Sequence, residues 1–397
     1  MATHRQRKQM SLEQNKAISS LDTTARQIDA GAWNRLISGR PEDHAYFCGC
    51  ENANHEGLEL GARIVRRGDE IVAACPTFTA HFDVPLVGLQ LPVAISGIGS
   101  PFTDACPIGL APELDEAERA AALAALLVAP RSRTPIKGLP MIVVKDITGE
   151  MDQWLRPHAH RLGFARVPTL PRSEFSVDFT SIDHYLAGLA RSDRKYLKHA
   201  AKRADGVTVE RIADPGPLQA EFYALYCEQQ QRADVDSGNF DAIAPDLFAT
   251  IAQAKPETTQ IFVYRVDGVL AGFAFCIFDA HSLAAKYVGF KQPLGKEKKL
   301  YFLNWMEILR FCLERGIGAI HVGQNSYPTK VMLGCKLSPN WIYYRHPGAI
   351  TNLLVRRSER FVRFDTMDED LVHLLQEHTQ SSEATPHSTA AKHASSA

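Results

Sequence analysis

The sequence predicts an α/β (α+β) fold of two similar units in tandem, each a mixed, mostly antiparallel sheet flanked by helices. Three observations predict it. "GARIVRRGDEIVAACPTF" alternates apolar and polar residues around Gly68-Asp69, and "QIFVYRVDGVLAGFAFCIF" does the same around Asp267-Gly268, pairs that favour tight hairpins. After each hairpin come a further strand-like run, an apolar helix (about 114 to 128, then 298 to 315), a short strand ("MIVVKD", then "AIHVG") and another helix. The length of 397 residues is too great for one ordinary core and suits two domains of about 150 to 180 residues plus tails. A repeated order of elements argues for two units rather than one large sheet.

Taken in order, residues 1–30 are basic and polar without sustained periodicity, and 380–397 ("QSSEATPHSTAAKHASSA") carry almost no large apolar group, so both ends are expected to be disordered. The first unit spans 31–180. Its "GFARVPTLPRSEFSVDF" reads as two final strands joined around Pro168 and Pro171. The second unit spans 181–350 and opens on one helix over about 181 to 204, where Leu186, Leu189, Leu197, Ala200 and Ala204 recur near helical spacing and Gly206 ends it. A helical extension over 351–379 follows.

Composition excludes several classes. With 45% apolar and 22% charged residues and a formal net charge of −1, the chain has no global pull toward nucleic acid or anionic membrane, so any phosphate binding must come from local patches. No apolar run approaches the roughly 20 residues that span a bilayer, and the first thirty residues lack the apolar core of a secretion signal, so a cytoplasmic protein is expected. The eight cysteines are scattered, which fits reduced, buried thiols. In "FCGC" the gap between Cys48 and Cys50 is too short for a zinc knuckle and no second pair completes four ligands, so no metal site is expected.

From residue 181 the order of elements resembles the GNAT acyltransferases, specifically the Fem-like branch in which two GNAT units stand in tandem. The basic helix, the strand "VTVERI", helices around 217 to 232 and 245 to 254, the second hairpin, the strand "SLAAKYVGF", the helix "KKLYFLNWMEILRFCLERG", the strand "AIHVG" and the motif "YPTKVMLG" carry the resemblance, which covers roughly 45 to 346. Where the family commonly shows adjacent Tyr and Lys, here Tyr327 and Lys330 are separated by Pro328-Thr329. The resemblance implies an N-acyltransferase with no permanently bound cofactor. Its co-substrate would be acyl-CoA or another thioester, including one on an acyl-carrier protein, and its acceptor a small-molecule amine. An aminoacyl-tRNA donor, as in Fem-type enzymes, and a non-catalytic GNAT-like binding module are the alternatives. Neither a membrane span nor DNA is expected as a partner.

Candidate residues follow from the chemistry. Acyl transfer to an amine needs a neutral nucleophile, donors for the developing oxyanion and an acid for the leaving group. Tyr327, just past a strand end, could supply that acid, and Lys330, one turn on, could lower its pKa or bind a substrate anion. Gln324, Asn325 and Ser326 could orient the acceptor, unless Ser326 simply caps a helix. Lys286 interrupts an apolar strand, Asp104 is the only charge in "ISGIGSPFTDACP", and Asp279 and His281 flank a turn that also explains them. GNAT enzymes that use CoA usually carry a Gly-rich pyrophosphate loop where this chain has "KQPLGKEKKLYF". Gly295, Lys296, Lys298 and Lys299 could hold phosphate there, or form a solvated helix end. Arg191, Lys195, Lys198 and Lys202 advance by four, three and four along one helix face, either as a phosphate track or as a solvated surface.

Overall fold

The computed structural model describes residues 18–86, 89–130, 137–232, 243–366 and 368–374. Its first half contributes strands β1 (Ile18–Thr23), β2 (Leu58–Arg67), β3 (Glu70–Leu86), β4 (Leu89–Ile98), β5 (Gly109–Leu110), β6 (Leu139–Thr148) and β7 (Ala165–Ser176). The second half contributes β8 (Val207–Ile212), β9 (Thr259–Val266), β10 (Val269–Phe278), β11 (Ser282–Phe290), β12 (Ala319–His321) and β13 (Lys336–Arg345). Helices are α1 (Ala30–Leu36), α2 (His44–Asn52), α3 (Glu116–Leu126), α4 (Gly149–Arg161), α5 (Ile182–Gly188), α6 (Arg191–Arg203), α7 (Gln219–Arg232), α8 (Leu247–Ala254), α9 (Leu294–Glu297), α10 (Leu300–Arg315), α11 (Tyr327–Met332) and α12 (Ala349–Ser358).

Two units are present, yet they share one continuous sheet, which corrects the expectation of separate sheets. Its strand order is β1-β2-β3-β4-β6-β13-β7-β12-β11-β10-β9-β8, with β5 beside β3. Read from either end the order is the same: a four-stranded antiparallel meander, then a parallel pairing (β4 with β6, β11 with β12), then a last strand from the other half of the chain. At the centre β7 and β13 pair antiparallel, from Glu174 opposite Lys336 to Ala165 opposite Tyr344. Each final strand thus completes its partner unit.

Local chemistry explains the elements. Asp267 and Gly268 both take positive φ (50° and 77°), the backbone that a two-residue hairpin requires. Asp115 and Glu118 form a reciprocal capping box at the start of α3. The stretch around Pro168 and Pro171 is a single strand, not two. It tolerates both prolines because β7 has β12 as a second neighbour only over Glu174–Ser176. The helix expected over 181 to 204 is broken at Leu189-Ala190 into α5 and α6. Ile18–Thr23, inside the stretch expected to lack structure, pairs with β2, while the tail 380–397 lies outside the described residues.

One apolar core runs through both units, taking in Trp33, Leu123 and Ile142 from the first half and Phe248, Tyr287 and Tyr343 from the second. The "FCGC" motif serves this junction. A Cβ on Gly49 of α2 would stand 2.8 Å from the Ile251 Cα of α8, so only glycine lets the two helices approach this closely. Lys255 Nζ meets Asp43 at 2.7 Å beside them. All eight cysteines are free thiols.

Candidate active site at the junction of the two units

β11 keeps β10 beside it to Phe290, but pairs with β12 only from Ser282 to Ala284. Past Ala284 the parallel strands part, because β12 ends at His321. Charged side chains from the first unit gather in the opening.

Lys286 is the hub. Its Nζ lies 3.0 Å from Glu42 Oε1 and donates to the Phe102 carbonyl at 2.5 Å, with the Tyr46 ring 5.1 Å away. Arg40 joins Glu42 (3.3 Å) to Asp104 (2.5 Å), and Asn340 of β13 donates to the Asp104 carbonyl at 2.8 Å. Burial alone would raise the Glu42 carboxyl; the Arg40 and Lys286 charges override it and hold it at about 2. Asp104 is likewise kept well below the usual carboxylate range against its burial by Arg40 and Lys286. Such a network is stable only while every member is paired.

Across the opening, His321 Nδ1 lies 3.2 Å from Glu174 of β7. The neighbouring His321 ring, with Arg172 adding to it, lowers the Glu174 carboxyl against its partial burial. Arg40 Nη1, Arg172 Nε, Asn340 Oδ1 and His321 Nδ1, whose 3.2 Å approach to Glu174 is out of line for a hydrogen bond, are buried here without a hydrogen-bond partner among the described residues. Four such atoms in one place suit a polar ligand.

The loop after β12 adds a second layer. Gln324 donates to Asp146 Oδ1 (3.3 Å) and to the Leu170 carbonyl (2.8 Å), bridging the halves. Asp146 and Ser326 flank that bridge with φ of 55° and 52°, a strained backbone in non-glycine residues that collects at functional sites. Lys330, 2% exposed, donates to the Gly323 carbonyl and Asn325 Oδ1, both at 3.2 Å. Burial pulls its amine down to about 8, Cys335, Asp104 and Asp368 offsetting part of the effect.

Not every expected residue joins this cluster. Tyr327 is fully buried and its hydroxyl donates to the Pro171 carbonyl at 3.0 Å, so it pins the loop to β7 instead of offering a proton. Burial pushes its pKa well above 10. Ser326 opens α11 without a side-chain cap. His281 sits exposed in a turn made by Asp279, which accepts from the N–H groups of His281 and Ser282 at 2.7 Å each. Five residues of strand, about 16 Å, separate it from Lys286.

At the expected phosphate cradle the backbone amides are already engaged. The N–H groups of Gly295, Lys296, Glu297 and Lys298 already bond the carbonyls of Lys291, Pro293 and Leu294 within and just before α9. Lys298 Nζ reaches the Asp205 carbonyl (2.8 Å) and Lys299 Nζ the Tyr196 hydroxyl (3.3 Å), leaving Lys296 exposed. Arg191, Lys195, Lys198 and Lys202 are all exposed along α6.

Sequence reasoning missed Arg40, Glu42, Arg172, Glu174 and His321. The one available signal was His321 itself, a titratable residue inside the short apolar strand "AIHVG". The others depend on the exchange of β7 and on the contact between halves, which no local pattern encodes.

The parting of β11 and β12 beside His321 and Glu174 lies within the stretch that a known family model describes, apart from β7. Residues 189–331 match the family model of the acetyltransferase (GNAT) domain. Among solved structures, FemX aligns with a TM-score of 0.53 at 12% identity over 85% of this chain and 100% of its own. A conserved protein of unknown function from Bacteroides thetaiotaomicron VPI-5482 gives 0.52 at 12% over 83% and 99%. A tandem GNAT protein from the clavulanic acid biosynthesis pathway, solved without AcCoA, gives 0.49 at 12% over 84% and 99%. No curated protein sequence matches the chain. The GNAT acetyltransferase domain match thus lies in the second unit, and the likeness to FemX is one of fold. Among the described residues no helix is long and apolar enough to cross a membrane.

Proposed function

We propose that the chain transfers an acyl group from a thioester on a phosphopantetheine arm, as in acyl-CoA or an acyl-carrier protein, to the amine of a small molecule held at the junction. The observation that carries this reading is the His321–Glu174 pair at the point where β11 and β12 part. Past Ala284 no described strand pairs with β11 on that side, so an extended, amide-bearing arm has backbone to bond there.

In this reading His321, with Nδ1 3.2 Å from Glu174, accepts through Nε2 the proton of the attacking amine. The C–N bond forms as the carbonyl oxygen takes up charge. Lys330, still mostly protonated at neutral pH with a pKa of about 8, stabilises that oxygen. The C–S bond then breaks and the thiolate leaves. Tyr327 and Gln324 act as positioning residues that fix the loop carrying Lys330. Lys286, Asp104 and Arg40 shape the acceptor end.

An aminoacyl-tRNA donor is the second reading. The four exposed cations on α6 favour it, as do the α9 amides already satisfied by their own backbone. Thermal shift separates the two. At a hundredfold excess over Kd the true donor should add about 2.7 kcal/mol of stability. Stabilisation by CoA thioesters supports the first reading. Stabilisation by aminoacyl-tRNA alone, steeply weakened by salt, replaces it with the second.

A further inference from the structure

We propose that the outward face of α12 docks the protein on an anionic phospholipid surface. Ile350, Leu353, Leu354, Arg357 and Phe361 follow one another at steps of three, one, three and four, which places them on one stripe of the helix and the turn after it. The apolar members are far more exposed than large side chains usually are: Ile350 86%, Leu353 54%, Leu354 63% and Phe361 87%. Half of the eight large apolar side chains exposed among the described residues therefore lie within twelve residues of chain.

The helix is not exposed because it is loose. Its other face is fastened to the sheet: Val355 packs with Ala165, Val167 and Tyr344, and Asn352 donates to the Gly163 carbonyl at 2.8 Å. Ser358 meets the Tyr344 hydroxyl at 3.0 Å, and Arg356 Nη2 lies 3.0 Å from His160 Nε2. A rigid helix offering an apolar stripe to water pays a standing cost unless something covers it.

Charge decides what covers it. Between residues 349 and 361 stand three arginines against the single Glu359, and Arg357 and Arg360 are exposed on or beside the stripe. The chain's own end is unsuited, since residues 376–397 contain no Leu, Ile, Val, Met, Phe, Tyr or Trp. A second copy of the same stripe would have to bury Arg357 and Arg360 with a single carboxylate, Glu359, to pair them, which desolvation opposes. An anionic bilayer satisfies both halves of the stripe, the apolar side chains entering the interface and the arginines meeting lipid phosphates. This attachment is peripheral and is independent of which donor the active site takes.

Flotation of the full chain with vesicles tests the proposal. Phosphatidylcholine vesicles containing a quarter phosphatidylglycerol should carry the protein at low salt, while pure phosphatidylcholine carries at least tenfold less. Arg357→Gln with Arg360→Gln should weaken binding about 25-fold, at roughly fivefold per charge. Leu353→Ser with Leu354→Ser should abolish it, leaving the melting temperature of the free protein unchanged because both side chains are exposed. Absence of binding to both vesicle types overturns the proposal, as does binding indifferent to both double variants. Concentration-dependent dimers that vanish in the leucine variant would assign the face to a second copy and overturn it too.

Discussion

His321 and Glu174 meet at 3.2 Å across the pairing of β12 with β7, two strands from opposite halves of the chain. The two side chains therefore stand together only when β7 has crossed over. Replacing His321 by Gln should lower turnover by about 10²- to 10⁴-fold, the range general-base help supplies, with the fold intact by circular dichroism. Glu174→Gln keeps the ring and removes its carboxylate, so a smaller loss and a displaced pH profile are expected. Wild-type turnover in both variants would remove the pair from the mechanism.

The Lys286–Glu42 contact makes a thermodynamic prediction. Glu42 titrates at about 2 when folded against 4.5 ordinarily, so the unfolded chain binds the proton more readily. Its contribution is present above pH 4.5 and is lost as pH falls through about 2. Glu42→Gln should cost about 3 to 5 kcal/mol at neutral pH by leaving Arg40 and Lys286 less than fully paired, and should flatten the acid limb of the stability curve. Urea titrations at several pH values measure both effects. An unchanged acid limb would show that Glu42 is not held as described.

Lys330 carries the opposite sign. Its amine falls from 10.5 to about 8 on folding, so between those values the unfolded chain holds the extra proton and stability should rise with pH. Below pH 8 the buried charge is a cost. Lys330→Met should accordingly raise the melting temperature near pH 7 and lower turnover by about 10- to 10³-fold. Tyr327→Phe, which strands the Pro171 carbonyl, should cost about 1 to 3 kcal/mol of stability with much less effect on turnover. A stable, fully active Lys330→Met enzyme would contradict the role given to this amine.

Because β7 and β13 are exchanged, neither half should fold alone. A fragment covering 181–374 would expose β12 where β7 belongs and lose the core shared with the first unit. Chymotrypsin digestion and heteronuclear spectra should show the fragment disordered or aggregated, with order regained when residues 18–180 are coexpressed. A cooperative thermal transition in the isolated fragment would refute that dependence.

How much of this was legible in the sequence follows from how local each feature is. Both hairpins, the capped α3, the apolar α10 and the short β12 are written in periodicity and turn chemistry, so their places were readable. The single sheet was not, because pairing β7 with β12 and β13 with β6 depends on contacts about 145 to 200 residues apart in the chain. "FCGC" looked like a failed metal motif and proves to be a close helix approach at Gly49. Lys286, Asp104 and Gln324 stood out as polar residues in apolar or loop surroundings, and the structure brings them to the junction. Their partners Arg40 and Glu42 lay in "SGRPEDHAY", where charge is ordinary in a turn.

Mass spectrometry of a transfer reaction tests the central claim most directly. The purified full chain would be incubated with a panel of acyl-CoA thioesters, acyl-carrier protein and aminoacyl-tRNA, together with a pool of small amines. The account predicts an amine that gains the mass of one acyl group from a thioester donor, with the rate lowered at least a hundredfold in His321→Gln. Acylated product formed at an undiminished rate by His321→Gln, or none from any donor, would contradict it.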